Sequence, residues 1–245
     1  MVTPGTLLKA SLHASKDFFR SPGEARPLAA NGHTYAQPIM VPIRSIGPSH
    51  GARIAAHLLS LSPQDRYLRF GYMANDEQVQ RYVDGLNFER DEIFGIYNRK
   101  LELIAMAHLA FSTDGKLSSC AEFGVSVLAT ARGRGYGSRL FDRAVIHARN
   151  EGVDMMFIHA LTENTAMLNI ARKGGATIER DGSESEAYLK LPPADLDSRM
   201  TEMVEEQIAQ TDYRLKVQAK QFWSFLSSVQ DIRRGVRDAR DHSSM

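Results

Sequence analysis

Between Val125 and Leu140 the chain reads as strand, glycine-rich turn and helix, and this segment limits the possible folds more than any other. The strand ends near Val127, Gly133, Gly135 and Gly137 alternate through the turn, and a helix begins near Ser138. Leu140, Phe141, Ala144, Val145 and Ala148 form that helix's buried stripe. Such a turn brings backbone close to a ligand and aims successive N–H groups inward. The helix N-terminus adds unpaired donors and partial positive charge, and Arg132 and Arg134 add full charges. The product is a pyrophosphate cradle over residues 132–138. The same glycines also fit a turn that merely lets strand and helix pack closely. A dinucleotide-binding turn fits worse, because Ser138 stands where its third glycine belongs and His159-Ala160 ends the next strand without a ribose-binding acid. A nucleoside-triphosphate loop is excluded, since no Gly-Lys-Ser/Thr follows.

Ahead of the cradle, strand patterns at Glu92–Tyr97, Leu101–Phe111 and Ser119–Val127 predict an antiparallel meander. A strand is expected over Pro38–Ile46, and helices over Ser49–Leu61, from Ser62-Pro63, and over Asn75–Leu86. After the cradle helix come a strand (Val153–Ala160), a helix (Asn164–Lys173) and a hairpin (Ala176–Arg180 with Glu186–Leu191). Meander followed by alternation means a mixed α/β fold. Pro192-Pro193 marks a boundary, giving an N-terminal extension (1–36, with a short helix at Leu7–Phe19), a central domain (37–192) and a helical extension (193–245). In the last, Met200, Met203, Val204, Ile208, Leu215, Phe222, Phe225, Leu226 and Val229 recur at helical spacing around Trp223. This apolar row packs on the domain or on another copy, so a homo-oligomer through the helix is one of two readings.

Thirty Lys and Arg against 29 Asp and Glu leave no broad field to attract nucleic acid or an anionic membrane. The single Cys120 excludes an internal disulfide and a Cys-rich zinc site, and eight histidines show no ligand spacing, so no metal is expected. No apolar run approaches the ~20 residues that span a bilayer, and Met1–Arg20 lacks a signal-peptide core. The expectation is a cytoplasmic protein with neither nucleic-acid nor membrane partners.

Arg132, Gly135 and Gly137 stand in register with the motif Arg/Gln-x-x-Gly-x-Gly/Ala. Asn164–Ala176 is similar to an Asn-x-x-Met/Ala helix ending in Lys-x-Gly-Phe, with Ala176 in place of the phenylalanine. On these motifs the chain resembles the GNAT acetyltransferase superfamily. Leu61–Phe70 and Ala121-Glu122-Phe123 resemble segments of GNAT domains in bacterial protein lysine acetyltransferases. The likeness covers about residues 37–192 and implies a largely antiparallel sheet flanked by helices.

It also implies an N-acetyltransferase that moves an acetyl group from acetyl-CoA to a primary amine, on a protein lysine or a small molecule, by direct attack in a ternary complex. Arg132, Gly133, Arg134, Gly135, Tyr136, Gly137 and Ser138 would hold the CoA pyrophosphate. Backbone near Val125 and Val127 would hold the pantetheine, and Asn164 the same arm or its loop. Glu122 is the candidate base. Strand alternation groups it with Cys120, Gly124 and Ser126, and the apolar setting is expected to bury it and raise its pKa. A carboxylate at a sheet surface or in an ion pair is the plainer reading. Ala171 occupies the position where many members carry a tyrosine that protonates the departing thiolate. Tyr136, Tyr188 or water then supplies the proton, or no acid is needed. His159 and Glu163 are further cleft candidates, Cys120 reads as a structural thiol, and Arg66 and Arg69 read as a solvated helix face. The rival function is a non-catalytic acyl-CoA-binding sensor acting through the C-terminal helix.

Overall fold

A computed structural model describes residues 41–112, 119–182 and 184–242. The N-terminal extension with its Leu7–Phe19 helix lies outside these residues, as do the side chains of Trp223, Phe225, Leu226 and Val229.

Among the described residues, seven strands form one sheet in the order β1-β2-β3-β4-β5-β7-β6. They are β1 (Arg44–Ser45), β2 (Glu92–Tyr97), β3 (Leu103–Phe111), β4 (Cys120–Val127), β5 (Met155–Leu161), β6 (Thr177–Asp181) and β7 (Glu184–Lys190). All neighbours are antiparallel except β4 and β5, which are parallel and joined through α4 (Tyr136–Asn150). The other helices are α1 (Gly51–Leu59), α2 (Pro63–Phe70), α3 (Asp76–Asp84), α5 (Thr165–Lys173) and α6 (Leu196–His242).

Each face of the sheet carries a core. On one, Phe94, Phe123 and Met156 pack against Leu140 and Phe141 of α4 and Leu168 of α5. On the other, Ile93 and Met106 meet Ile54 and Leu58 of α1 and Val79 and Val83 of α3. The helix starts follow their capping residues. Ser62 accepts the Asp65 N–H at 3.1 Å with Pro63 at the first helical position, and Asn75 and Gln78 form a reciprocal capping box.

The first strand is much shorter than the Pro38–Ile46 expected; within the described part only Arg44 and Ser45 pair, with Gly95 and Phe94. Pro42 has no N–H to donate, and Val41 and Ile43 pack into the core from an edge segment instead. The cradle helix starts at Tyr136, two residues before the expected Ser138.

The helical extension departs furthest from its pattern. It is continuous from Leu196 to His242 and docks on α4 and β1 mainly through polar groups, with Ala209 buried and Tyr213 packed on Tyr97. Arg143 on α4 is almost fully buried and faces Glu202 at 2.8 Å, Glu206 at 3.5 Å and Glu205 at 3.7 Å. His147 bonds Glu202 at 2.6 Å, and Arg44 lies 4.0 Å from the Tyr213 ring centroid. Meanwhile Leu196, Met200, Met203, Val204, Leu215 and Phe222 are exposed. Burial opposes ionisation of Glu202, yet hydrogen bonds from His147 and Asn150 and the charges of His147 and Arg143 hold its pKa down to about 2. Its contribution to docking is therefore complete above the ordinary glutamate range and is lost as pH falls from about 4.5 toward 2. Replacing Arg143 with alanine leaves three acidic side chains facing a cavity. Stability should drop by about 2–3 kcal/mol, and amides near residues 200–210 should exchange faster in hydrogen–deuterium exchange.

Candidate functional site

The ladder between β4 and β5 covers only Cys120↔Met155, Ala121↔Met156 and Glu122↔Phe157. Beyond Glu122 the two strands part, and the gap opens into two adjoining cavities. The first, of about 430 Å³, is lined by Val125, Ser126 and Val127 of β4, the turn, and Asn164, Met167 and Lys173 around α5. The second, of about 700 Å³, holds Glu122, Gly124, His159, Glu179, Arg180 and Glu186. Leu68, Arg69, Val125, Asn164 and Met167 line both, so the cavities meet at these residues.

The turn closes one end of the first cavity. Gly133 (φ 76°) and Gly135 (φ 74°) take left-handed conformations that other residues adopt only with strain. Gly137 serves differently: a Cβ there would lie 2.9 Å from Ile170 of α5, so its role is close helix packing. Among the described residues, no N–H from Gly133 to Ser138 reaches a backbone carbonyl; Arg139 is the first that does, to Gly135 O at 3.1 Å. That leaves a row of unpaired donors at a helix N-terminus, with Arg132 and Lys173 in the same lining. Unsatisfied amides, glycine backbone and two cations suit a pyrophosphate.

Of the residues singled out from sequence, Val125, Val127, Arg132, Gly133, Gly135, Tyr136, Gly137, Ser138 and Asn164 all line the first cavity. Arg134 does not; it is exposed outside the lining. Arg132 is paired with Asp65 of α2 and donates to Val127 O at 3.3 Å, which ties the turn to the end of β4. Asn164 caps α5, accepting from Met167 N–H at 3.1 Å, and donates to Leu68 O at 3.3 Å. Tyr188 bonds Glu179 at 2.9 Å and lies outside both linings. Ala171 is fully buried. His159 lines the second cavity, but Glu163 lines neither.

Glu122 occupies the expected face of β4 but is exposed rather than buried. The second core ends short of it, so the burial expected of its carboxyl is absent. The solvated reading of Arg66 and Arg69 is also corrected. Arg66 bonds Leu59 O at 2.7 Å and Asp76 at 2.6 Å, linking α1 to α3.

Two histidine networks escaped the sequence reading. His57 of α1 bonds Leu103 O through Nδ1 and Ser126 Oγ through Nε2, both at 2.8 Å. Since a carbonyl only accepts, Nδ1 carries the proton and Ser126 donates to Nε2. Burial, aided by the charge of Arg69 and opposed by the Leu103 bond, pushes His57 down to about 4. The second network joins Asp91, His108, Tyr82 and Arg69. Burial and Arg69 lower the His108 pKa, against the raising influence of Asp91 and Glu122. The available signal was a histidine within each apolar stripe, which reads as core.

The acetyltransferase (GNAT) family model matches residues 61–175. Residues 61–175 thus carry a GNAT acetyltransferase domain. The chain matches no curated relative by sequence, but its fold recurs in solved structures. The GNAT domain of S. lividans PAT superposes with a TM-score of 0.53 at 20% identity, covering 61% of this chain and 89% of that one. An N-acetyltransferase from Staphylococcus aureus Mu50 gives 0.51 at 16% identity, covering 61% and 98%. A Salmonella typhimurium protein solved with its cofactor acetyl-CoA gives 0.50 at 14% identity, covering 63% and 96%. No helix among the described residues is long and apolar enough to cross a membrane.

Because the folded pKa of His57 lies below the ordinary 6.5, its neutral form stabilises the GNAT fold fully above that value. The benefit is lost as pH falls toward about 4. Denaturant unfolding at pH 7 and pH 4 should lose about 3 kcal/mol more in the wild-type chain than in His57→Gln, which keeps a donor and an acceptor but cannot titrate.

Proposed function

We propose that this GNAT domain transfers an acetyl group from acetyl-CoA to a primary amine, on a protein lysine or a small molecule, by direct attack within a ternary complex. The observation that carries the reading is the parting of β4 and β5, which joins a donor-lined cavity to one containing a carboxylate. The amides of Gly133–Ser138, with Arg132 and Lys173, hold the pyrophosphate. Backbone at Val125 and Val127 lies along the arm that leads to the thioester. The acetyl-CoA supplies an activated carbonyl.

An amine enters by the second cavity, where Glu122, Glu179 and Glu186 outnumber Arg69 and Arg180 and so favour a cation. Glu122 takes the proton that the ammonium must lose before attack. Being exposed, it exchanges that proton with solvent directly. Holding both reactants at the junction supplies much of the rate. We extend the proposal to the domain limits, with residues 37–192 as the catalytic unit and 193–245 as an appendage. The exposed apolar row of that appendage supports self-association.

Free-thiol release, measured over a panel of amines and lysine-bearing proteins, tests the activity. Glu122→Gln should lower kcat by about a hundredfold while leaving CoA affinity unchanged. Gly135→Ala places a Cβ on a left-handed residue of the cradle and should weaken CoA binding about tenfold in calorimetry. Tight acetyl-CoA binding by the wild-type chain with no thiol released on any amine would overturn the enzyme reading and leave the sensor.

A further inference from the structure

Arg69 lines both cavities and so stands at their junction. Glycine at 124 admits it: a Cβ there would come within 2.8 Å of the guanidinium carbon and both terminal nitrogens. Arg69 Nη2 donates to the Tyr82 hydroxyl at 3.0 Å. Tyr82 in turn donates to His108 Nδ1 at 2.7 Å, and His108 Nε2–H faces Asp91 at 3.2 Å. Asp91 is buried and fixed by Arg90, through two bonds of 2.6 Å, and by the Phe111 N–H at 3.2 Å. One end of the guanidinium is therefore anchored through a relay whose only carboxylate is already engaged by Arg90. Arg69 Nε is buried with no hydrogen-bond partner, and no carboxylate pairs with Arg69 among the described residues.

A cation held this way is poised for negative charge that arrives from outside the protein. The proposed transfer generates such charge at this place. As the amine nitrogen bonds to the carbonyl carbon, an electron pair moves onto the carbonyl oxygen. It returns as the carbon–sulfur bond breaks, and sulfur leaves with the bonding pair as a thiolate. Glu122 takes the ammonium proton before attack and passes it to solvent, and it then takes the second proton that the nitrogen loses as the adduct collapses to the amide. No acid is available from position 171, which holds alanine; Tyr188 lies outside both cavities, and Tyr136 lines only the first.

Resting on the N-acetyltransferase reading, we infer that Arg69 is the catalytic group that stabilises the departing CoA thiolate by charge, in place of a proton donor, and that Tyr82, His108 and Asp91 are its positioning residues. The cation offsets the charge on sulfur without itself giving up a proton, and the thiolate takes its proton from solvent after release.

The test follows the thiol of CoA bound to the full chain by ultraviolet thiolate absorbance across a pH titration, with desulfo-CoA as the blank. In the wild-type protein the bound thiol should titrate about one unit or more below free CoA. Arg69→Met should abolish that shift while holding desulfo-CoA as tightly as the wild type, and should lower kcat for acetyl transfer about a hundredfold with little change in the amine KM. Arg69→Lys and Tyr82→Phe should retain part of the shift, and these two decide the matter if the methionine variant melts early. An identical thiol titration in wild type and variants would overturn the inference. So would an effect confined to the amine KM, which would make Arg69 an acceptor-binding residue. A thiol shift that depends on Arg69 in a protein that acetylates no amine would refute the transferase reading alone.

Discussion

β4 and β5 stop pairing after three residues, and the rest of the molecule is organised around that interrupted ladder. Between parallel strands inside a sheet, a row of backbone groups without partners is costly unless something polar satisfies it. Next to the last paired residue of β4, Phe123 packs edge-on against Phe141, with ring centroids 5.3 Å apart. Helix α2 contributes Asp65, Leu68 and Arg69 to the cavity walls. The opening is thus walled by packed elements, and under the proposed function its unpaired groups are left for the coenzyme arm.

Much of this order was legible because the local rules agree with the global fold. Ser62-Pro63 and Asn75 announce helix starts by chemistry that needs no tertiary context, and the structure caps α2 and α3 on those residues. Strand alternation in β4 put Glu122, Gly124 and Ser126 on one face, and the pairing of β3 with β4 keeps that arrangement. What alternation cannot say is how far the opposing helices reach. Ser126 lies under α1 and is buried, whereas Glu122, four residues back, lies beyond the helices and is open to solvent. Burial along one strand face is a property of the covering layer and not of the strand.

The C-terminal helix shows a similar limit. Apolar spacing identified the helix correctly, because periodicity is a local property. It did not identify the docking face, because α4 presents Arg143 and His147 at the contact, and buried charge demands carboxylates opposite it. Glu202, Glu205 and Glu206 answer that demand, and the methionine and leucine row turns outward. In the same way Arg66 and Arg69, alike in sequence, end in different surroundings. One ties two helices together, and the other faces the cavities.

The two histidines beside the opening explain how one uncompensated guanidinium can dominate its polarity. Both are pushed toward the neutral form, by burial first and then by Arg69. Neutrality fixes each tautomer: His57 commits the Ser126 hydroxyl proton inward, and His108 directs its own N–H to Asp91. Towards the ligand, Ser126 therefore offers lone pairs only. Positive potential along the opening comes from Arg69 at the junction and from Lys173 and the turn amides at one end, where Arg132 is paired with Asp65, while Glu122, Glu179 and Glu186 lie at the other. Under the proposed function, cavities polarised in this sense favour an anionic donor at one end and a cationic acceptor at the other. If His108 were to gain a proton, Tyr82 would lose the acceptor for its hydroxyl hydrogen, and two cations would then share the Tyr82 oxygen.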